Sequence, residues 1–202
     1  MTELTSRKVP FVERLEDLAN REDRGALAAL RRGLGQPAGT VSAMYPWVVP
    51  WLPENCPPWT EATYYTVASL FALHPSSGRD ANLGVSLRRA GGSDSSAGGD
   101  AGEGSGGAMA SVERRLVALL AANSEDLPGL LRQAISLLRS KEIPVNWHQL
   151  FLDLQQWGAP SRRVQRTWAA GFWGRSAEQD PASEDSAVDQ NDSSSENTEG
   201  EA

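Results

Sequence analysis

Seventeen residues in mid-chain, Gly91 to Gly107 (GGSDSSAGGDAGEGSGG), include twelve Gly or Ser, and no other stretch limits the available folds as much. Such a run cannot bury enough apolar surface to offset the entropy of ordering it. A flexible linker or long loop is therefore expected over 91–110, dividing the chain into blocks 1–90 and 111–175. The residues after Gly174, RSAEQDPASEDSAVDQNDSSSENTEGEA, are acidic, Ser-rich and almost free of large apolar side chains. Residues 176–202 are expected to be a disordered tail that aids solubility or competes with nucleic acid for basic surface.

Both blocks carry apolar residues at helical spacing, and no convincing alternating strand occurs. In the first, Pro10 suits an early helix position, and Phe11, Val12, Leu15, Leu18 and Ala19 form one stripe. A second helix is expected from Asp23 to Leu34. Pro46, Pro50, Pro53, Pro57 and Pro58 break 45–58 into turns. Thr60 is expected to cap a helix that ends before Pro75, and NLGVSLRRA closes the block. In the second block, helices are expected from Ser111, over 126–141, from an Asn146 cap through Trp157 to Gly158, and from Pro160 or Ser161 to Gly174. The expected fold class is all-α, two small helical bundles.

The formal charge of −7 hides an opposite sign. Residues 176–202 contribute −9 and 91–110 contribute −3, whereas block 1–90 is +1 and block 111–175 is +4. Only two lysines, Lys8 and Lys141, accompany the arginines of the structured part, and the planar Arg fork suits phosphate better than a Lys point charge. One cysteine, Cys56, excludes an intrachain disulfide, and with only His74 and His148 beside it a zinc site is not expected. No apolar run reaches a membrane span, and MTELTSRKVPF lacks a secretory core, so a cytoplasmic protein is expected.

Catalysis finds little support. His148 and Asp153, five apart, do not share a helix face, and no Ser or Cys sits in a nucleophile elbow. His74 precedes a proline at a helix end, which favours a structural role, and Cys56 reads as an ordinary buried or loop thiol. GLGQPAG (33–39) has no Walker lysine and follows no strand, so it is a weak phosphate-loop match. No catalytic residue, metal or cofactor is assigned.

The arginines are more informative, falling into the doublets Arg31-Arg32, Arg88-Arg89, Arg114-Arg115 and Arg162-Arg163, with Arg166 a turn further on. Arg162, Arg163 and Arg166 would sit in the opening turns of a helix, where the dipole disfavours cations unless an anion binds. Arg132 and Arg139, seven apart, share a face. A GC-rich genome or solvated faces would also produce arginines, but recurrence in both blocks points to a phosphate-tracking surface. Trp147, Trp157 and Trp168 lie at core spacing; Trp47, Trp51 and Trp59 are expected to pin the Pro-rich turns; Trp173 has no assigned role.

The order LRRG (30–33), YPWVVPWL (45–52), NLGVSLRRA (82–90), SVERRLVALLAANSEDLPGLLRQAISLL (111–138) and VNWHQLFLDLQQWG with SRRVQRTWAAGFW (145–173) resembles the CasB family. CasB is the small subunit of the type I-E CRISPR surveillance complex, Cascade. The resemblance covers about residues 10–174, with the Gly/Ser run like a lengthened family loop. It implies an all-helical, non-catalytic protein. Two copies would assemble head to tail beside the crRNA-bound backbone subunits, where basic residues would hold the target and displaced non-target DNA strands of the R-loop. Arg32, Arg89, Arg114 or Arg115, Arg132, and Arg162 or Arg163 occupy the matching positions. Ala159-Pro160-Ser161 stands where a more basic stretch is expected. Two alternatives are a sequence-specific helix-turn-helix regulator, with Ser161, Arg162, Gln165 and Arg166 opening a recognition helix, and a helical adaptor with no nucleic-acid role.

Overall fold

The computed structural model describes residues 9–79, 81–92 and 104–174, without the side chains of 104–106. The disorder expected of 176–202 lies outside the described residues. Among the described residues there are nine α-helices and no strand; one isolated bridge joins Ser77 and Val145. No described helix is long and apolar enough to cross a membrane.

Local chemistry starts several helices where the sequence places them. Helix α1 (Pro10–Asn20) has Pro at its first turn and buries Phe11, Val12, Leu15 and Leu18. In α2 (Arg24–Arg31) the Asp23 carboxylate accepts the Ala26 N–H at 2.9 Å, a side-chain N-cap. The Pro-rich region contains the short α3 (Tyr45–Val48), flanked by 3-10 turns at Ser42–Met44 and Val49–Trp51.

Helix α4 (Pro58–Leu73) begins at Pro58 and not at a Thr60 cap; its N-cap is Pro57, whose ring carries no hydrogen-bond acceptor. The fixed φ of Pro58 supplies the helical start instead. From Val67 to Ala72 every residue of α4 is buried, because α2 and α3 pack on it from one block and α7 and α8 from the other.

Helices α5 (Leu83–Gly92) and α6 (Gly104–Ala121) extend into the Gly/Ser run from both sides. Ser111, the expected helix start, is therefore inside α6, and 93–103 lies outside the described residues. Packing explains the extension. A Cβ at Gly91 would fall 2.6 Å from Met109 Sδ, so the bare glycine is what lets α6 lie against α5.

The remaining helices are α7 (Leu127–Ser140), α8 (Trp147–Gln155) and α9 (Arg163–Trp173). Asn146 caps α8 as expected, accepting Gln149 N–H at 3.0 Å. Trp157 lies past the end of α8 yet is buried, and α9 starts at Arg163, later than Pro160 or Ser161.

The buried apolar residues form one cluster running from Val9 to Phe172. Trp147 and Trp168 are wholly buried, and the Trp157 and Trp168 rings are 5.0 Å apart. Directed bonds join the two blocks. Val9 N–H donates to His148 Nδ1 at 2.8 Å, His74 Nε2 donates to Ile143 O at 2.8 Å, and Trp59 Nε1 donates to Leu154 O at 2.8 Å. The histidines and Trp59 are thus tied into the frame. Trp47 is half-buried against the core, and Trp51 stacks obliquely 6.4 Å from Phe11.

Candidate nucleic-acid interface

The eleven arginines of the doublets and their neighbours divide by what their heads meet. Three serve as helix C-terminal caps. Arg31 Nε donates to Ala72 O near the end of α4 at 2.6 Å, Arg88 Nη1 to Gly174 O after α9 at 2.6 Å, and Arg162 Nη2 to Leu120 O at the end of α6. Each guanidinium meets carbonyls that a helix end leaves unpaired, at the negative end of the dipole. Arg162 adopts left-handed backbone, φ 48°, and precedes α9 as its N-cap, so it does not stand free in the opening turn.

The other eight, Arg32, Arg89, Arg114, Arg115, Arg132, Arg139, Arg163 and Arg166, are exposed apart from half-buried Arg115. Among the described residues none of them forms an ion pair. The ion pairs seen run from Arg14 and Arg21 to Asp17 and from Arg79 to Glu16, while His148 Nε2 donates to Glu16 Oε2 at 3.4 Å. No carboxylate among the described residues pairs with these eight, so their charge is not neutralised there.

Two of the eight converge on a groove of about 1250 Å³ between the 33–39 loop, α4 and α7. Arg115 and Arg132 line it together with Gln36, Gln133, Ser69 and Ser136. The GLGQPAG segment has a role here that its poor fit to a phosphate loop did not suggest. Gly35 has φ +76°, and a Cβ there would fall 2.8 Å from Arg132 Nη1. The loop is shaped to seat a guanidinium over its backbone. Sequence reasoning missed this; the one signal was a cluster of three glycines with no strand before it.

Arg114, next to Arg115, instead lines a separate concavity of about 550 Å³ with Glu113 and Val117. Successive helical residues diverge by about 100°, so that doublet addresses two surfaces. Arg139 lies outside the groove although it follows Arg132 by about two turns on α7.

Asp153 lies near the base of α9, buried, accepting Trp168 Nε1 at 2.6 Å and Gln149 Nε2 at 2.7 Å. Burial raises its carboxyl above the ordinary carboxylate range, while both donors and the Arg163 charge pull it down. Asp153 holds α9 in place rather than meeting a ligand. Burial, followed by Glu61, raises the Cys56 thiol, which is the opposite of an activated nucleophile.

The helix-turn-helix alternative fails on geometry. Residues 156–162 separate α8 from α9, longer than the usual turn of three or four residues. Gln165, expected to read bases, is buried with its Nε2 donating to Trp157 O at 3.0 Å.

A family model described as CRISPR-associated protein Cse2 (CRISPR_cse2) matches residues 26–173. A CRISPR-associated protein Cse2 from Thermus thermophilus is 34% identical over 158 residues, spanning 77% of this chain and 82% of its own length. Among solved structures, a Cse2-family protein from Thermus thermophilus matches with TM-score 0.67 and 30% identity, over 82% of this chain and 97% of that one. A chain from a structure described as a CRISPR RNA-guided surveillance complex matches with TM-score 0.61 and 30% identity, over 81% and 88%. CasB from Thermobifida fusca, at 21% identity and TM-score 0.58, shares the fold. The expected likeness to CasB thus extends across both helical blocks, and the chain belongs to the CRISPR-associated Cse2 family.

Proposed function

We propose that this chain is the non-catalytic small subunit of a type I-E Cascade and stabilises the R-loop by holding target and displaced non-target DNA through its arginine surface. Its partners in this reading are the crRNA-bound backbone subunits, the other Cascade subunits and a second copy of itself placed head to tail. Blocks 1–90 and 111–175 both contribute to that surface. The observation that carries the reading is the set of eight doublet and neighbouring arginines without a carboxylate partner among the described residues. A chain that matches a subunit of an RNA-guided surveillance complex adds to it.

The physical logic is electrostatic. In RNA-guided recognition, base pairing reads the sequence, and heteroduplex formation is nearly balanced against reannealing of the DNA. Backbone contacts to phosphate therefore suffice to favour the open state, and no base-reading side chain is required.

The test is Arg32→Ala, Arg89→Ala and Arg115→Ala together in the assembled complex. R-loop stability is expected to fall alike for every target. The log–log salt slope on single strands is expected to flatten by about 0.7 for each phosphate left without its arginine. A loss confined to particular target sequences, or an unchanged salt slope, refutes the non-specific track.

A further inference from the structure

We propose that the acidic segment 176–202 is an intramolecular competitor for phosphate, docking on the Arg114 and Arg166 face beside the point where the chain leaves α9. Nucleic acid would have to displace it. The inference rests on reading the exposed arginines as a phosphate surface.

The root of the segment is fixed. Gly174 O accepts Arg88 Nη1 at 2.6 Å, and Trp173 Nε1 donates to Glu113 Oε1 at 3.1 Å. The chain therefore departs between α5 and α6, next to the residue that precedes Arg114. Arg114 is exposed on the concavity it shares with Val117, and Arg166 is exposed on α9 about two turns before Trp173, on the same side of that helix. Neither has a carboxylate partner among the described residues.

The charge and length of the departing chain fit that face. Residues 176–202 hold nine carboxyls and no base, against a net +5 for blocks 1–90 and 111–175 together. Glu178 and Asp180 follow Gly174 by four and six residues, so at roughly 3.4 Å per residue they come within about 14 and 20 Å of the root. At that rise the 28 residues after Gly174 reach at most about 95 Å, so chain length does not prevent the later carboxyls from meeting the same face. Tethering places its carboxylates there at millimolar effective concentration. Single exposed ion pairs are weak, so the contact is one that a polyphosphate strand displaces and salt weakens.

The experiment compares the full chain with a full-length variant in which the nine carboxyls are changed to amides, using single-stranded oligo(dT) as probe. A nitroxide placed through Ser183→Cys in a Cys56→Ser background reports by amide line broadening where the segment lies. The expected result is broadening centred on Arg114, Val117 and Arg166 that vanishes on adding oligo(dT). The amide variant is expected to bind oligo(dT) about tenfold more tightly at low salt, with the gap closing as salt rises. Broadening spread evenly over the surface, even with an affinity gain, overturns docking and leaves only net charge. Equal affinity of the two proteins overturns competition. If neither protein binds oligo(dT) while the local broadening persists, the underlying phosphate reading is what fails.

Discussion

Substitution of Gly84 by Ala probes the close packing of α5 against α9. Gly84 is buried in the first turn of α5, and a Cβ there would lie 1.9 Å from Trp168 O, 2.7 Å from its carbonyl carbon and 3.0 Å from its Cα. Those are backbone atoms, so no side-chain rotation relieves the clash. Ordinary contact begins near 3.4 Å, so α9 would have to retreat by about 1.5 Å. Retreat would pull wholly buried Trp168 from its seat, stretch its 2.6 Å bond to Asp153 and open the 3.2 Å bond from Asn82 Nδ2 to Thr167 O. Overpacking of this kind costs about 1–3 kcal/mol, and a weakened bond to a buried carboxylate adds about 1.5–3 kcal/mol. Together the expected loss is about 2.5–6 kcal/mol, or a Tm lower by roughly 5–24 °C for a chain of this size. Urea unfolding followed by tryptophan fluorescence measures it as a lower midpoint at unchanged m-value. Gly129→Ala in α7, where a Cβ meets nothing within 4 Å, is the control, with an expected gain of about 0.5–1 kcal/mol. A Gly84→Ala midpoint within about 0.5 kcal/mol of the parent would refute the close-crossing argument.

Asn146→Ala removes both the cap on Gln149 N–H and the 2.8 Å bond from Nδ2 to Arg79 O, so a loss of about 1–3 kcal/mol is expected. Asn146→Asp keeps the cap and should recover part of it, read from the same urea midpoints. Asp153 binds its proton more tightly in the folded chain than in the unfolded one. Its contribution is thus complete below the unfolded carboxyl value and declines as pH rises through the raised native value. Midpoints measured across that window should slope less for Asp153→Asn than for the parent, and an equal slope would show that another group governs it. Trp168→Phe removes the first of the hydrogen bonds that lower this carboxyl, so the declining limb should move to higher pH.

Much of the frame was legible in the order of residues because helical periodicity and capping are local. Phe11, Val12, Leu15 and Leu18 recur at the spacing of one helix face, and Asn146 stands immediately before the turn it caps. Trp147, Trp157 and Trp168 sit among apolar neighbours at that spacing, and burial follows from the need to remove that surface from water. The arginine doublets were equally visible as a charge pattern, and the separation of Arg132 and Arg139 by about two turns of α7 followed from the helix pitch.

Where each guanidinium ends was decided only in three dimensions. Arg31, Arg88 and Arg162 find carbonyls 41, 86 and 42 residues away, and no local pattern encodes which helix end will come within reach of a flexible side chain. The same holds for α6, whose first turns consist of residues with poor helix propensity until Gly91 lets Met109 lie against α5. Gly35 likewise gains its meaning from Arg132, almost a hundred positions further on. Sequence determined which segments coil and which faces turn inward, since those depend on neighbours along the chain. Tertiary packing chose which cations serve as helix caps and which stay available to an anion, since that depends on atoms the chain brings together from afar.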